Sequence, residues 1–163
     1  MSDAGTLNDA VPLWDVVFHI ERALDGMLAT VTALDDVTVK RRAEFPGANT
    51  PYALVVHCCG VLEFWAGQVI AGRRIERDRE AEFFATGAVA ELGELVRGQL
   101  ERFRTDLAAF DGGAAPVGLL RPRDIGLEYT RTQGGCLMHI HEEVAQHRGQ
   151  LDVTVDVLNS VRP

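Results

Sequence analysis

The sequence predicts an all-α protein built as a four-helix bundle. Four segments of about twenty residues or more repeat apolar side chains every three or four positions, which is the pattern of an amphipathic helix. Helices of this length must pack their apolar stripes together, and four of them form a bundle. The 163 residues are 47% hydrophobic and 25% charged, an ordinary balance for a globular protein with a real core. We therefore expect a single domain over residues 1–163.

The first two helices are bounded by capping signals. Helix one is predicted over residues 12–34. It can start at Pro12, because proline is tolerated in the first turn of a helix. Helix two is predicted over residues 51–71 and opens with Asn49-Thr50-Pro51, a capping residue followed by proline. Gly72 fits the position just past its end. Helix two is apolar almost all round, so it is expected to be the central element.

The second half of the chain is predicted to hold two more helices joined by a long connection. Helix three is expected over residues 88–110, with Thr86 as its cap. Helix four is expected over residues 132–158. Residues 112–131 between them contain glycines, prolines and a β-like stretch at 126–130, so this connection can include extended segments.

The charged stretch between helices two and three is compatible with two structures. Residues 73–87 are expected to form a short helical segment or an exposed loop across the bundle end, with Phe83 and Phe84 packing it down. A run of charges such as residues 73–82 usually marks a solvated face.

Helix four concentrates the residues with chemical potential. Three histidines and two glutamates lie within residues 139–147. Glu143 and His147 are four residues apart, which places their Cβ atoms about 5–6 Å apart on one helix face, where both can bind one metal ion. His139 extends this stripe by one turn, whereas His141 points nearly the opposite way. An exposed i,i+4 pair is the alternative interpretation of the same spacing.

A catalytic metal usually takes three protein ligands and leaves one position open, so a third ligand must come from another element. The two histidines outside helix four are His19 and His57. His57 lies in the apolar run of helix two, where burying an imidazole is costly unless it has a partner. His19 has ordinary surroundings. A core histidine satisfied by a hydrogen bond is the alternative explanation for His57.

Three motifs in order resemble those of a known family. They are residues 56–65 around His57, residues 78–83 following Gly72, and residues 139–152. Together they are similar to motifs of the DinB-like superfamily, and most of all to the branch with mycothiol-dependent maleylpyruvate isomerase and related thiol S-transferases. The resemblance covers nearly the whole chain. It implies a bundle of DinB type with at least one long crossover connection.

The resemblance also implies a ligand set. By it, His57, Glu143 and His147 hold a divalent metal. Two histidines and a carboxylate with an open position suit Zn²⁺ first, and Ni²⁺, Fe²⁺ and Mn²⁺ accept the same ligand types. Gln146 stands where the branch usually has arginine, and Gln150 where it usually has histidine. These departures leave the ligand positions intact and bear on the substrate and on activity itself.

The function implied is a metal-dependent enzyme in which a low-molecular-weight thiol such as mycothiol attacks a small electrophilic molecule. A coordinated thiol is deprotonated, and the thiolate is the nucleophile in thiol transfer. Two alternatives stay open: a metal-dependent hydrolase on the same site, and a non-catalytic, stress-associated metal-binding dimer. The family's isomerases carry a further C-terminal domain, so a chain that stops at Pro163 is expected to be a simpler transferase.

Composition and sequence pattern limit the binding partners and the cellular location that we expect. A net charge of −8 disfavours nucleic acid and anionic membranes, since both require a basic patch. There is no secretory signal pattern near the start, and no apolar run approaching about eighteen residues, so a cytoplasmic protein is expected. The 3 cysteines include no Cys-x-x-Cys pair and favour neither a disulfide framework nor a zinc site. The resemblance and the apolar excess on helices one and two predict a homodimer.

Overall fold

The computed structural model describes residues 11–160, and this part of the chain contains helices and no strands. The prediction of an all-α protein is therefore confirmed over that range, whereas the prediction of one domain over residues 1–163 extends beyond it. The helices are α1 (Leu13–Thr32), α2 (Pro51–Leu62, continuing as a π-helix over Glu63–Ile70), α3 (Arg79–Glu82), α4 (Val89–Asp106) and α5 (Gln133–Ser160).

Helix α1 packs one stripe into the core and ends slightly earlier than predicted. Its fully buried side chains recur at helical spacing: Ile20, Leu24, Met27 and Val31. The helix ends at Thr32 rather than at residue 34. The carboxylate of Asp35 accepts hydrogen bonds from the backbone N–H groups of Val37 and Thr38, which favours a turn over further helix.

Helix α2 begins and ends where its capping signals place it. Thr50 Oγ1 accepts a hydrogen bond of 3.0 Å from the N–H of Ala53, and Gly72 has a positive φ of 75° just past the helix end. Contrary to the sequence expectation, Pro51–Ile70 is long and apolar enough to span a membrane, but 78% of its most apolar window is buried inside the protein. It is therefore the central core helix that was predicted.

The long helices are arranged so that α4 and α5 each pack against both α1 and α2. The predicted core positions of the last helix are all buried: Leu137, Ile140, Val144, Leu151, Val155 and Leu158. Helices α4 and α5 barely touch one another, although they are consecutive long helices. The connection between them, residues 107–132, therefore joins two helices that are not packed neighbours.

This connection corrects one sequence expectation. The β-like stretch at 126–130 is not extended; it forms a 3₁₀ turn over Glu128–Thr130, after a similar turn at Pro122–Asp124. The Thr130 hydroxyl donates a hydrogen bond of 2.7 Å to the Leu127 carbonyl, and the Thr130 N–H bonds to the same carbonyl. These local bonds satisfy backbone groups that a strand would leave for a partner strand.

The start and end of α4 also differ from prediction. The cap is Ala88 rather than Thr86, and the helix ends at Asp106 rather than at residue 110. At the start, the carboxylate of Glu91 accepts from the Ala88 N–H, and Asp36 accepts from the next N–H in the chain. These two carboxylates supply the hydrogen bonds that a capping threonine would have made.

The charged stretch between α2 and α4 forms a loop that contains the one-turn helix α3. Asp78 caps this helix by accepting a hydrogen bond from the Ala81 N–H. Of the two phenylalanines expected to pack inward, Phe83 does, with its ring 4.5 Å from that of His57, whereas Phe84 is 75% exposed. The expectation for Phe84 was wrong, because consecutive residues at the end of so short a helix point in different directions.

Candidate metal centre

The three predicted ligands lie close together between α2 and α5. The Nε2 atoms of His57 and His147 are each 3.8 Å from Glu143 Oε2. The ligand atoms of all three residues lie within 4.8 Å of one another. Helix α5 presents Glu143 and His147 one turn apart, as their spacing predicts, and α2 supplies His57 from the opposite side.

The geometry fits a metal ion. Around a tetrahedral Zn²⁺ with bonds of roughly 2.0–2.1 Å, neighbouring ligand atoms are about 3.3–3.4 Å apart. The two separations of 3.8 Å are close to this distance and too long for hydrogen bonds. His57 Nε2 is also buried and has no hydrogen-bond partner within residues 11–160. A buried nitrogen without a partner requires an explanation, and an ion shared with Glu143 and His147 supplies one.

On the α2 side, the other ring nitrogen of His57 is held by a buried ion pair. His57 Nδ1 lies 2.7 Å from Glu82 Oε2, and Arg77 donates to both oxygens of that carboxylate at 2.6 and 2.8 Å. Because a carboxylate only accepts, Nδ1 carries the hydrogen and Nε2 is left with its lone pair. Carboxylates commonly orient metal-binding histidines in this way.

On the α5 side, the corresponding partner is a neutral amide. His147 Nδ1 donates a hydrogen bond of 2.9 Å to Gln150 Oε1, one turn further along the same helix. This tautomer again leaves Nε2 with its lone pair. Gln150, one of the two departures from the motif of the branch, therefore orients the ring of His147. Gln146, the other departure, is exposed and donates to Glu142 instead.

The surroundings favour the protonation states that a metal requires at Glu143 and His147, but they favour the protonated form at His57. Proximity to His57 holds the pKa of Glu143 below its usual value, and His139 and His147 add to the effect. Burial lowers the pKa of His147, and the nearby His57 lowers it further. For His57, burial lowers the pKa, but Glu143 and Glu82 together raise it above its ordinary value. Glu143 is thus ionised and His147 neutral near pH 7, as metal ligands must be.

A family model for mycothiol-S-transferases matches residues 16–158, which is most of the chain. The chain belongs to the mycothiol-S-transferase family. This family falls within the DinB-like branch, so the resemblance inferred from the three motifs is confirmed. No curated protein and no solved structure matches the chain significantly.

In this member of the mycothiol-S-transferase family, aromatic rings form one wall beside the candidate ligands. His139 stacks on Tyr129 with ring centroids 4.0 Å apart, and Trp65 packs edge-on against it at 4.9 Å. His139 Nε2 is 3.9 Å from Glu143 Oε1, the oxygen that makes neither of the two 3.8 Å contacts. His139 thus lies next to Glu143 but outside the group of candidate ligands. His141 faces elsewhere, with its ring 6.3 Å from that of His19.

Glu82 and Arg77 are the site residues that sequence reasoning missed. Both lie in the charged run at 73–82, which was expected to be a solvated face, yet both are largely buried. The similarity of residues 78–83 to a family motif is the one sequence signal that points to this segment. Neither spacing nor composition connects Glu82 with His57, because the two lie on different elements.

The cysteines take no part in the cluster. Cys58, Cys59 and Cys136 are free and buried, and they lie outside the group of possible ligands found in residues 11–160. Burial raises the pKa of Cys59 to about 12, so its thiol is unreactive.

Proposed function

We propose that this protein is a metal-dependent thiol S-transferase, with Zn²⁺ bound by His57, Glu143 and His147. The observation that carries the proposal is the convergence of three ligand atoms, one of them a buried nitrogen without a partner, in a chain of the mycothiol-S-transferase family. Two histidines and one carboxylate with a fourth position open are a donor set typical of catalytic zinc. Ni²⁺, Fe²⁺ and Mn²⁺ suit the same donors.

The chain's own residues divide the work of such a site. A bound divalent metal would stabilise the thiolate form of a coordinating thiol near neutral pH. Glu82 and Gln150 orient the two histidine rings through their Nδ1 atoms. Phe83 covers the ring of His57, while Tyr129 lines the opposite wall beyond His139. The side chain of His57 is only 1% exposed, whereas those of Glu143 and His147 on α5 are 29% and 20% exposed.

The reaction we propose transfers the thiol sulfur to carbon. The thiol loses its proton, its sulfur attacks an electrophilic carbon of a small molecule, and a C–S bond forms. The electron pair displaced from that carbon leaves with a leaving group or is protonated. The family supports mycothiol as the thiol, and on the same ground we propose a cytoplasmic location.

We further propose that the fold is a DinB-type four-helix bundle forming one domain with a crossover connection. The support is the packing of α4 and α5, which are consecutive long helices but barely touch. Chains that join helices in this relation need a long connection rather than a hairpin loop.

The proposed homodimer has a candidate surface at the start of α1. Val11, Trp14 and Phe18 are exposed at three- and four-residue spacing, and Met138 of α5 joins Val11 in lining an adjoining apolar groove. Contiguous apolar surface of this kind marks association sites. We expect Trp14→Glu to shift the protein to monomer in sedimentation velocity. Leu119→Glu, at another exposed apolar position, should leave the mass unchanged.

Metal analysis tests the proposed function first. Purified wild-type protein should contain about one divalent metal per chain, and His57→Ala and His147→Ala should contain almost none, because each removes one of three ligands. Equal metal content in all three proteins would reject the proposal. Wild-type protein with metal should then conjugate mycothiol to members of an electrophile panel, read by mass spectrometry. Metal-dependent hydrolysis without conjugation would identify a hydrolase, and a metal effect on melting temperature alone would identify a non-catalytic metal protein.

A further inference from the structure

Glu82 reaches the site from a short helix that carries none of the proposed ligands. Helix α3 ends at this residue, and the loop around it consists of exposed and half-buried residues. Glu82 itself is only 9% exposed, and its Oε2 accepts the hydrogen bond of 2.7 Å from His57. Burying a carboxylate is costly unless it is paired, so its contacts identify what it is there to do.

We propose that Glu82 is a positioning residue that sets the tautomer and the ring orientation of His57, and that Arg77 and Gly60 keep Glu82 in place. The inference rests on the proposed function, since His57 is a proposed metal ligand. It adds a residue outside the ligand set that controls how tightly the site holds a metal.

The tautomer of His57 depends on Glu82 because, within residues 11–160, only this side chain lies within hydrogen-bond distance of a His57 ring nitrogen. Its face packs against Phe83, and its edge meets the ring of His147 at 4.7 Å between centroids. Glu143 lies 3.8 Å from Nε2, beyond hydrogen-bond distance. Without the carboxylate at Nδ1, either nitrogen can carry the hydrogen, and a ring protonated at Nε2 cannot bind the metal there.

Arg77 limits the carboxylate to one orientation. Its guanidinium donates to both oxygens of Glu82, at 2.6 and 2.8 Å, in the paired geometry that suits arginine and carboxylate. The Arg77 side chain is only 9% exposed, and its guanidinium lies 5.7 Å from the ring centroid of Phe64. We call this Arg77–Glu82 pair the inner clasp.

Gly60 makes room for the inner clasp on the surface of α2. A Cβ added at Gly60 would lie 2.1 Å from Glu82 Oε1 and 2.7 Å from its carboxyl carbon. The carboxylate therefore lies directly against the helix backbone, three residues after His57. Any side chain at this position would push Glu82 away from the imidazole that it contacts.

The same loop supplies the arginine of a second pair, which serves as a control. Arg73 donates to both oxygens of Asp106 at 2.7 and 2.9 Å, and we call this pair the outer clasp. It too lies over a glycine of α2, because a Cβ added at Gly67 would be 2.2 Å from Arg73 Nη2. No residue of the outer clasp contacts His57, Glu143 or His147.

Four variants form two matched pairs. Glu82→Gln and Gly60→Ala perturb the inner clasp, and Asp106→Asn and Gly67→Ala make the same changes at the outer clasp. Zn²⁺ affinity, measured by competition with a chelator on folded protein, should fall about 10- to 100-fold in the first pair, as is typical for loss of a group that orients a ligand. It should stay within about twofold of wild type in the second pair. Gly60→Ala removes no polar group, and alanine favours helix over glycine, so it tests the idea if Glu82→Gln does not fold.

A second measurement needs no metal. Long-range ¹H–¹⁵N NMR spectra of the histidine side chains, recorded on metal-free protein at a pH where His57 is neutral, report its tautomer. Wild type, Asp106→Asn and Gly67→Ala should have the hydrogen on Nδ1, and the inner-clasp variants should have a mixture. Unchanged tautomer together with Zn²⁺ affinity within about threefold of wild type in both inner-clasp variants overturns the inference. Absence of metal from wild type would instead reject the proposed function, and the NMR result would still decide the role of Glu82.

Discussion

The inner and outer clasps are both arginine–carboxylate pairs whose arginine comes from the same loop, but they have different roles. In each, one arginine of the segment between α2 and α4 grips both oxygens of a buried carboxylate. Arg77 of the inner clasp is 9% exposed, whereas Arg73 of the outer clasp is 37% exposed. The inner carboxylate has a second partner in His57. The outer arginine instead contacts Glu63, which in turn meets Arg102 near the surface.

The difference lies in what each pair joins. The outer pair attaches the loop to α4, because Asp106 is the last residue of that helix. Arg77 and Glu82 of the inner pair both lie in the loop, and Glu82 reaches α2 through His57, a residue of the proposed ligand set. Loop attachment and ligand orientation can therefore be separated by mutation.

Removing the arginines should distinguish the clasps by the free energy of unfolding. Arg77→Met leaves the Glu82 carboxylate buried without its main partner, which typically costs about 3–5 kcal/mol. Arg73→Met should cost less, about 1–2 kcal/mol, because Arg73 is more exposed and water can replace it. Urea unfolding of the metal-free proteins measures both values. A loss for Arg73→Met as large as that for Arg77→Met would contradict the difference in burial on which the comparison depends.

The partner of His147 should matter less than the partner of His57. Gln150 is neutral and half-buried, and nothing in residues 11–160 holds it as Arg77 holds Glu82. We expect Gln150→Ala to weaken Zn²⁺ binding by less than about tenfold, at the low end of the range for groups that orient ligands. The matched control is Gln146→Ala on the same helix, whose side chain contacts Glu142 and should leave affinity unchanged. A loss with Gln150→Ala that exceeds the loss with Glu82→Gln would reverse the ranking.

The smallest expected effect is a pH dependence of stability that comes from Glu63, which accepts a hydrogen bond from Arg73 of the outer clasp. Burial raises the pKa of Glu63, but the hydrogen bond and the charge of Arg73, with smaller contributions from Gln99 and Arg102, together bring the pKa below its ordinary value. A depressed folded-state pKa stabilises the protein above the unfolded value, near 4.5, and this stability is lost as the pH falls through the folded value. Because Glu63 is partly exposed, we expect less than about 1 kcal/mol.

Unfolding at pH 7 and at pH 3 to 4 measures this contribution. Glu63→Gln should lose less stability on acidification than wild type, because the glutamine does not titrate. A steeper loss in Glu63→Gln would show that the carboxylate is not stabilised by Arg73 in the folded protein.

Much of the fold followed from local pattern. The start of α2 at Pro51 and its stop at Gly72 were predicted because capping is read from adjacent residues. The buried stripe of α5 was predicted because helical spacing persists along a long helix. The connection at 126–130 was misread because β-propensity depends on a partner strand, and here local hydrogen bonds replace one.

The residues of the candidate site also fall into a group that the sequence predicted and a group that it did not. The pairing of Glu143 with His147 could be predicted because one helical turn separates them. The addition of His57 depended on family resemblance, since its distance from α5 is set by packing. Glu82 and Arg77 could not be assigned, because charges in a loop most often face water.

By itself, the sequence determined the helices, their buried faces and the position of two ligand candidates on one turn of α5. These features depend on the helical repeat, which can be read within each segment by itself. Only the tertiary structure decided that Glu82 meets His57 across 25 residues of chain, and that Gly60 leaves the space for it. Such a contact depends on how a loop folds back over a helix, and no periodic pattern in the sequence indicates it.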